Sequence, residues 1–147
     1  MWNKLLALLF FLPLVSMADT WLGYSRTDLL DEIKDNVQKI KIVTQSDTLI
    51  CLQGEEEDER CRRFKVKYTF RLSEGQCTSY TLTTDSHEYW ANRFLTYAEE
   101  NDGESQGENL TVDGVEIAGK YVFEDHVLQL SQNKNVLTVE FRTAATE

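Results

Sequence analysis

The residues best suited to chemistry in this chain lie at positions 120–127, Lys-Tyr-Val-Phe-Glu-Asp-His-Val. On an extended strand, side chains two apart share a face, so Tyr121, Phe123 and Asp125 would point the same way. Two aromatic rings beside a carboxylate suit an amine. The rings hold the cation on their π faces and the acid neutralises it. The plainer reading is two packed aromatics, with Asp125 opening a turn. Trp90, Tyr68 and Tyr80 are further aromatics able to line the same cavity, under the same plain alternative.

A second feature is the run of five acids at 55–59, bracketed by Cys51 and Cys61. It lacks the alternating Asp/Asn pattern and the central Gly of a calcium loop, so it reads as a solvated loop tip. Three cysteines in an exported chain suggest one disulfide and one leftover thiol. If the segments around 48–53 and 61–68 pair, Cys51 and Cys61 share the outer face and can bridge, leaving Cys77 unpaired. Other pairings stay open, because directly cross-strand bridges are strained in some registers.

The chain has two histidines, His87 and His126, and no Cys-x-x-Cys, His-Glu-x-x-His or Gly-rich phosphate loop. This points away from an enzyme, with no cofactor or metal expected. Asn109-Leu110-Thr111 is a glycosylation sequon.

These residues must be positioned by a chain of single-domain length, 147 residues. Lys4, the apolar stretch 5–15 and the small residues Ser16 and Ala18 read as a secretory signal over 1–18, leaving one domain over 19–147 that is secreted. Formal net charge is −10. Nucleic acid and anionic membrane are poor partners for such a surface.

Leu29, Leu30, Ile33, Val37 and Ile40 recur at helical spacing over 27–40, with Thr27 as the expected N-cap. The period then changes to two. Strands are expected at 39–43, 48–53, 63–72 and 77–84, then at 110–117, 119–125, 127–132 and 136–143. The stretch 87–98 is ambiguous, and its Tyr, Trp, Phe and Thr content favours a strand. The stretch 99–109 reads as a polar loop. No internal repeat is evident. One helix and eight or nine short strands predict a mainly β fold, an antiparallel up-and-down barrel preceded by a short N-terminal helix. The alternative is an α+β, cystatin-like helix on an antiparallel sheet.

The order of these features resembles the tick salivary lipocalins, secreted barrels related to the histamine-binding and complement-inhibiting proteins of tick saliva. The segments carrying the resemblance are the helix, the run Ile-Lys-Ile-Val-Thr-Gln-Ser-Asp-Thr-Leu-Ile-Cys-Leu-Gln-Gly-Glu at 40–55, the long alternating strand, and Tyr-Val-Phe-Glu-Asp at 121–125. The resemblance implies a cysteine opening the second strand at Cys51 and an aromatic-x-acid ligand contact at Phe123-Glu124-Asp125. It further implies sequestration of histamine, serotonin or a lipid mediator of the host inside the barrel. Two other readings remain: a protein-binding inhibitor of a protease or effector, though without a Gln-x-Val-x-Gly loop, and a periplasmic immunity or inhibitor protein. An aromatic-lined cavity goes with the first reading. A filled core with an exposed apolar edge or patch goes with the other two.

Overall fold

The computed structural model describes residues 20–144, so the expected signal at 1–18 lies outside the described residues. Leu29 and Ile33, four apart, fall on one helical face and are fully buried in α1, Arg26–Asn36. Ser25, not the expected Thr27, caps the helix: its hydroxyl accepts from the Asp28 amide. Val37 ends it, its N–H donating to Ile33 O, and Ile40 already lies in the first strand. The eight strands are β1 (Gln38–Gln45), β2 (Leu49–Glu57), β3 (Arg63–Ser73), β4 (Gln76–Asp85), β5 (Glu104–Val112), β6 (Val115–Val122), β7 (His126–Asn133) and β8 (Val136–Thr143).

Two expectations are corrected. The aromatic stretch favoured as a strand is a helix, α2, Glu88–Glu100. Trp90, Ala91, Phe94, Tyr97 and Ala98 are its buried residues. That three-and-four spacing outranks the strand preference of their types. His87 caps it, Nδ1 accepting from the Tyr89 amide. The stretch expected as a polar loop supplies most of β5. It reads as a loop because β5 is an edge strand exposed along most of its length, with a bulge between Gln106 and Asn109.

The strands form one antiparallel sheet in the order β1-β2-β3-β4-β8-β7-β6-β5. The sheet is open, with β1 and β5 as its edges, and does not close into the expected barrel. Among the described residues the fold is mainly β, one eight-stranded antiparallel sheet with two helices. Its strand order is set by α2. Leaving β4 in mid-sheet, the chain must cross four strand spacings, about 19 Å, to begin β5 at the far edge. A 13-residue helix supplies about 20 Å. The chain is therefore a helix followed by four strands, twice over, with the equivalent strands β4 and β8 paired antiparallel from Ser79↔Arg142 to Asp85↔Val136. A two-fold axis between them would generate this order, a structural repeat that leaves no mark in the residue pattern.

Both helices and Trp21 lie on one face of the sheet. Phe64, Val66, Tyr68, Phe70 and Leu72 of β3 point there and are buried. Trp21 packs its ring against Tyr68, Phe70 and Tyr80 at 5.3–5.6 Å, and Phe94 of α2 meets Phe141 of β8 at 6.0 Å. Gly54 lets the α1–β1 link cross β2 closely: a Cβ there would meet Val37 and stand 2.8 Å from the Gln38 carbonyl. The opposite face is polar and carries no helix, the usual division of an antiparallel sheet.

Candidate binding surfaces

The aromatics expected around a cavity are core. Tyr68, Tyr80 and Trp90 are buried among other rings. The Tyr80 hydroxyl accepts from the Trp21 amide at 3.3 Å. Burial pushes both phenols, Tyr68 and Tyr80, well above the ordinary tyrosine range. Tyr121 and Phe123 do share the inner face, as period two requires, and are buried. The Tyr121 hydroxyl accepts from the Ala118 amide at 3.2 Å.

Asp125 does not join them. β6 ends at Val122, and the Phe123 amide donates to His126 O at 2.9 Å. The intervening residues turn, which leaves the Asp125 side chain 87% exposed. It serves the histidine instead. Asp125 Oδ1 lies 2.6 Å from His126 Nδ1, and His126 Nε2 lies 2.6 Å from the Tyr97 hydroxyl of α2. A carboxylate only accepts, so Nδ1 donates to Asp125, and in the neutral ring Nε2 then accepts from the Tyr97 hydroxyl. Phe123 stacks parallel on the imidazole at 4.4 Å. The motif thus fastens the β6–β7 turn to α2.

The acidic run is also corrected. Residues 55–57 belong to β2, whose inward register Ile50, Leu52, Gly54 continues to Glu56. Glu56 is 8% exposed. It accepts from the Tyr68 hydroxyl and, at 3.4 Å, from Arg93 Nη1. The Arg93 guanidinium also lies over the Trp90 ring, 5.2 Å from its centroid. Asp58 organises the β2–β3 turn, accepting from the Arg60 amide at 2.9 Å, the Arg62 amide at 2.8 Å and Arg62 Nε at 2.6 Å. Desolvation pushes its carboxyl up, but the Arg62 and Arg60 hydrogen bonds and the Arg62 charge outweigh it. The pKa falls below the ordinary carboxylate value. The period-two register was the signal that could have found Glu56. A cleft of about 470 Å³ separates this turn from α2, lined by Arg62, Arg93 and Tyr97 among others.

The expected Cys51–Cys61 bridge is absent; all three cysteines are free. β2 and β3 are longer than the sequence suggested and pair from Leu49↔Arg71 to Glu57↔Arg63. Cys51 therefore faces Thr69, while Cys61 sits in the turn with φ 63°. Six residue steps of β3, about 20 Å, separate Thr69 from Arg63, where the turn that carries Cys61 begins. Cys77 is buried on β4 and its thiol is pushed up to about 12.

On the helix-free face, β1, β2, β3, β4 and the start of β8 form a groove of about 510 Å³. Four of its lining residues are the exposed lysines Lys39, Lys41, Lys65 and Lys67. Lys39 Nζ lies 3.5 Å from Glu55 Oε1, and Glu55 stands opposite Lys65 in register. In the next row, Gln53 stands between Lys41 and Lys67. Comparison with protein-family models, curated proteins and solved structures gives no match. Among the described residues the large exposed hydrophobics are Ile42, Val43 and Val136, at 45%, 50% and 44%. Val136 lines the groove's far side, whereas Ile42 stands opposite the buried Leu52 and so faces the helix-covered side at the β1 edge. No pattern in the sequence announced the groove, because it joins β1 to β8 across three intervening strands. Among the described residues no group of three or more His, Cys, Asp or Glu could hold a metal, and no helix is long and apolar enough to cross a membrane. Asn109 of the sequon is exposed on edge strand β5.

Proposed function

We propose that the chain is a secreted, non-enzymatic protein-binding inhibitor that holds its partner on the helix-free face of the sheet. The observation that carries this reading is the groove on the helix-free face, where Lys39, Lys41, Lys65 and Lys67 gather and the exposed Val136 stands at the far side, while the helix-covered side is filled by packed rings. A cationic concavity with an exposed apolar side chain at its edge, on a chain that is acidic overall, suits the surface of a protein partner. A second reading keeps the lipocalin-like role of capturing a small host mediator. The groove's volume is within the usual range of small-molecule sites. Its lysines suit the carboxylate of a lipid mediator, and they repel histamine and serotonin.

Calorimetric titration with histamine, serotonin and a long-chain fatty acid separates the two, with Trp21 and Trp90 fluorescence followed alongside. The protein-binding reading expects no heat and no change in tryptophan emission. Saturable uptake of the fatty acid would replace it with the second reading. Saturable uptake of an amine with a shift in tryptophan emission would return the site to the aromatic core.

A further inference from the structure

We infer that Asn109 carries an N-linked oligosaccharide, and that this sugar shields the regular, uncharged end of edge strand β5 from strand addition. The inference goes beyond the partner groove and rests only on the secreted part of the reading above. Asn109-Leu110-Thr111 is the one Asn-x-Ser/Thr sequence in the chain. It falls on β5, which is paired on one side, to β6, and open on the other. The register runs Asn109↔Ala118, Leu110↔Ile117, Thr111↔Glu116 and Val112↔Val115. Leu110 and Val112 therefore turn toward the core, and Val112 is fully buried. Asn109 and Thr111 stand exposed on the helix-free face. A modified side chain at 109 projects into solvent and displaces no packed group. Asn109 Nδ2 donates a long hydrogen bond, 3.5 Å, to Glu116 Oε1. The glycosylated amide keeps one N–H, which can still make it. In the transfer, Nδ2 attacks the anomeric carbon of a lipid-diphosphate-linked oligosaccharide. The C–N bond forms as the carbon–oxygen bond to the diphosphate breaks. The amide gives up one proton, and the lipid diphosphate leaves with the bonding electron pair.

The edge gives the sugar its role. An open edge offers unpaired N–H and C=O groups to any other strand, and natural sheets blunt it with charges, bulges or a cover. β1 has Lys39 and Lys41, with register shifts between Gln38 and Lys41 and between Ile42 and Thr44. The first half of β5 has Glu104, Glu108 and the bulge between Gln106 and Asn109, where Gly107 takes φ 76°. The second half, Asn-Leu-Thr-Val at 109–112, has neither device. Its pairing to β6 is unbroken and it carries no charge. Thr111 and Val112 are strand-favouring types. The sequon opens this stretch, so a branched, hydrated oligosaccharide on Asn109 covers the part of β5 that charge and bulge leave bare. It also leaves the groove free, because β5 lies three strand spacings, about 14 Å, beyond β8.

The test expresses the full-length chain, with its own N-terminal segment, in eukaryotic secretory cells and collects the medium. The secreted protein should exceed its sequence mass by an oligosaccharide. Peptide N-glycosidase should remove the excess and convert Asn109 to an aspartate, located by peptide mapping. Asn109→Gln and Thr111→Ala should each abolish the added mass. Sedimentation velocity over a concentration series then reads the edge. The glycosylated protein should sediment as a monomer throughout, while Thr111→Ala and the enzymatically deglycosylated protein should shift to larger species as concentration rises. Thr111→Lys also lacks the sugar but places a charge on the bare stretch, and it should stay monomeric. It makes the chain's net charge of −10 less negative, so overall repulsion cannot explain that rescue. Circular dichroism checks that each variant is folded.

A secreted protein without added mass at Asn109 would overturn the inference and leave the protein-binding reading untouched. Retention of the chain inside the cells would overturn both the inference and the secreted reading. Glycosylated and deglycosylated proteins that sediment alike would overturn the shielding role. Association of Thr111→Lys equal to that of Thr111→Ala would overturn it too, by tracing the effect to the sugar's general solubility.

Discussion

Glu56 offers a direct check on the packing of the β2–β3 hairpin against α2. Replacing it by alanine removes the acceptor of the Tyr68 hydroxyl and the partner of Arg93. Tyr68 is 2% exposed, so water cannot take over, and an orphaned buried hydroxyl costs about 1–3 kcal/mol. Arg93 retains 28% of its side-chain exposure, so its lost ion pair adds at most about 1 kcal/mol. Glu56→Ala should therefore destabilise by about 1–4 kcal/mol, or roughly 4–16 °C in Tm for a domain of this size. Glu56→Gln keeps an acceptor oxygen and should cost about half as much. Adding Tyr68→Phe to Glu56→Ala removes the orphaned group, so the double variant should be more stable than the sum of singles by about 1.5–3 kcal/mol. The assay is urea unfolding, at neutral pH, of the unmodified protein, Glu56→Ala, Glu56→Gln, Tyr68→Phe and the double variant. A Glu56→Ala loss within about 0.5 kcal/mol, the usual range for a solvated surface residue, would refute the buried network and restore a dispensable acidic tip.

Three further outcomes are expected. The Asp58 carboxyl is depressed in the folded state, so its contribution is complete above the unfolded value, near pH 4, and is lost as the pH falls below it. The stability gap between the unmodified protein and Asp58→Asn, measured by urea unfolding, should shrink across that window; a gap independent of pH would contradict the turn geometry. Intact-mass analysis after alkylation should show Cys61 reacting slowly in the native protein, since the hydrogen bond and charge of Glu57 raise its thiol. Cys77 should react only after unfolding, and recovery of any disulfide-linked peptide would overturn the β2–β3 register. Gly54→Ala should destabilise by about 1–3 kcal/mol through overpacking, because the new methyl meets Val37 and the Gln38 carbonyl; thermal melts matching the unmodified protein would show that the α1–β1 link gives way easily.

What could be read from the sequence followed local periodicity. The strict alternation of β3 was visible because one face is buried and the other wet, and the spacing of Leu29 and Ile33 revealed α1 for the same reason. Residues 87–98 were misread because bulky aromatics favour strands on average, while Trp90, Phe94 and Tyr97 carry the helical period. β5 was missed because an exposed edge strand has little buried face to write into the sequence. The pairing of β4 with β8 joins Ser79 to Arg142, and no local pattern encodes such a contact, so the open sheet could not be told from a barrel. At the candidate sites, Tyr121 and Phe123 were rightly placed on one inner face. Asp125 was carried one residue pair too far along a strand that had already turned. The lysine groove escaped notice because alternating lysines on β3 look like an ordinary solvated face until β1 brings two more beside them.

The claim that the partner is held on the helix-free face is tested most directly by the amide spectrum of isotopically labelled protein titrated with a tetraglutamate peptide, whose charge complements the groove's lysines. The account predicts shifts concentrated at Lys39, Lys41, 53–55, 65–67, 83–85 and Val136, with α2 and the 121–126 segment unmoved. Shifts centred on Tyr89, Arg93, Tyr97 and His126, or no shifts at all, would contradict it.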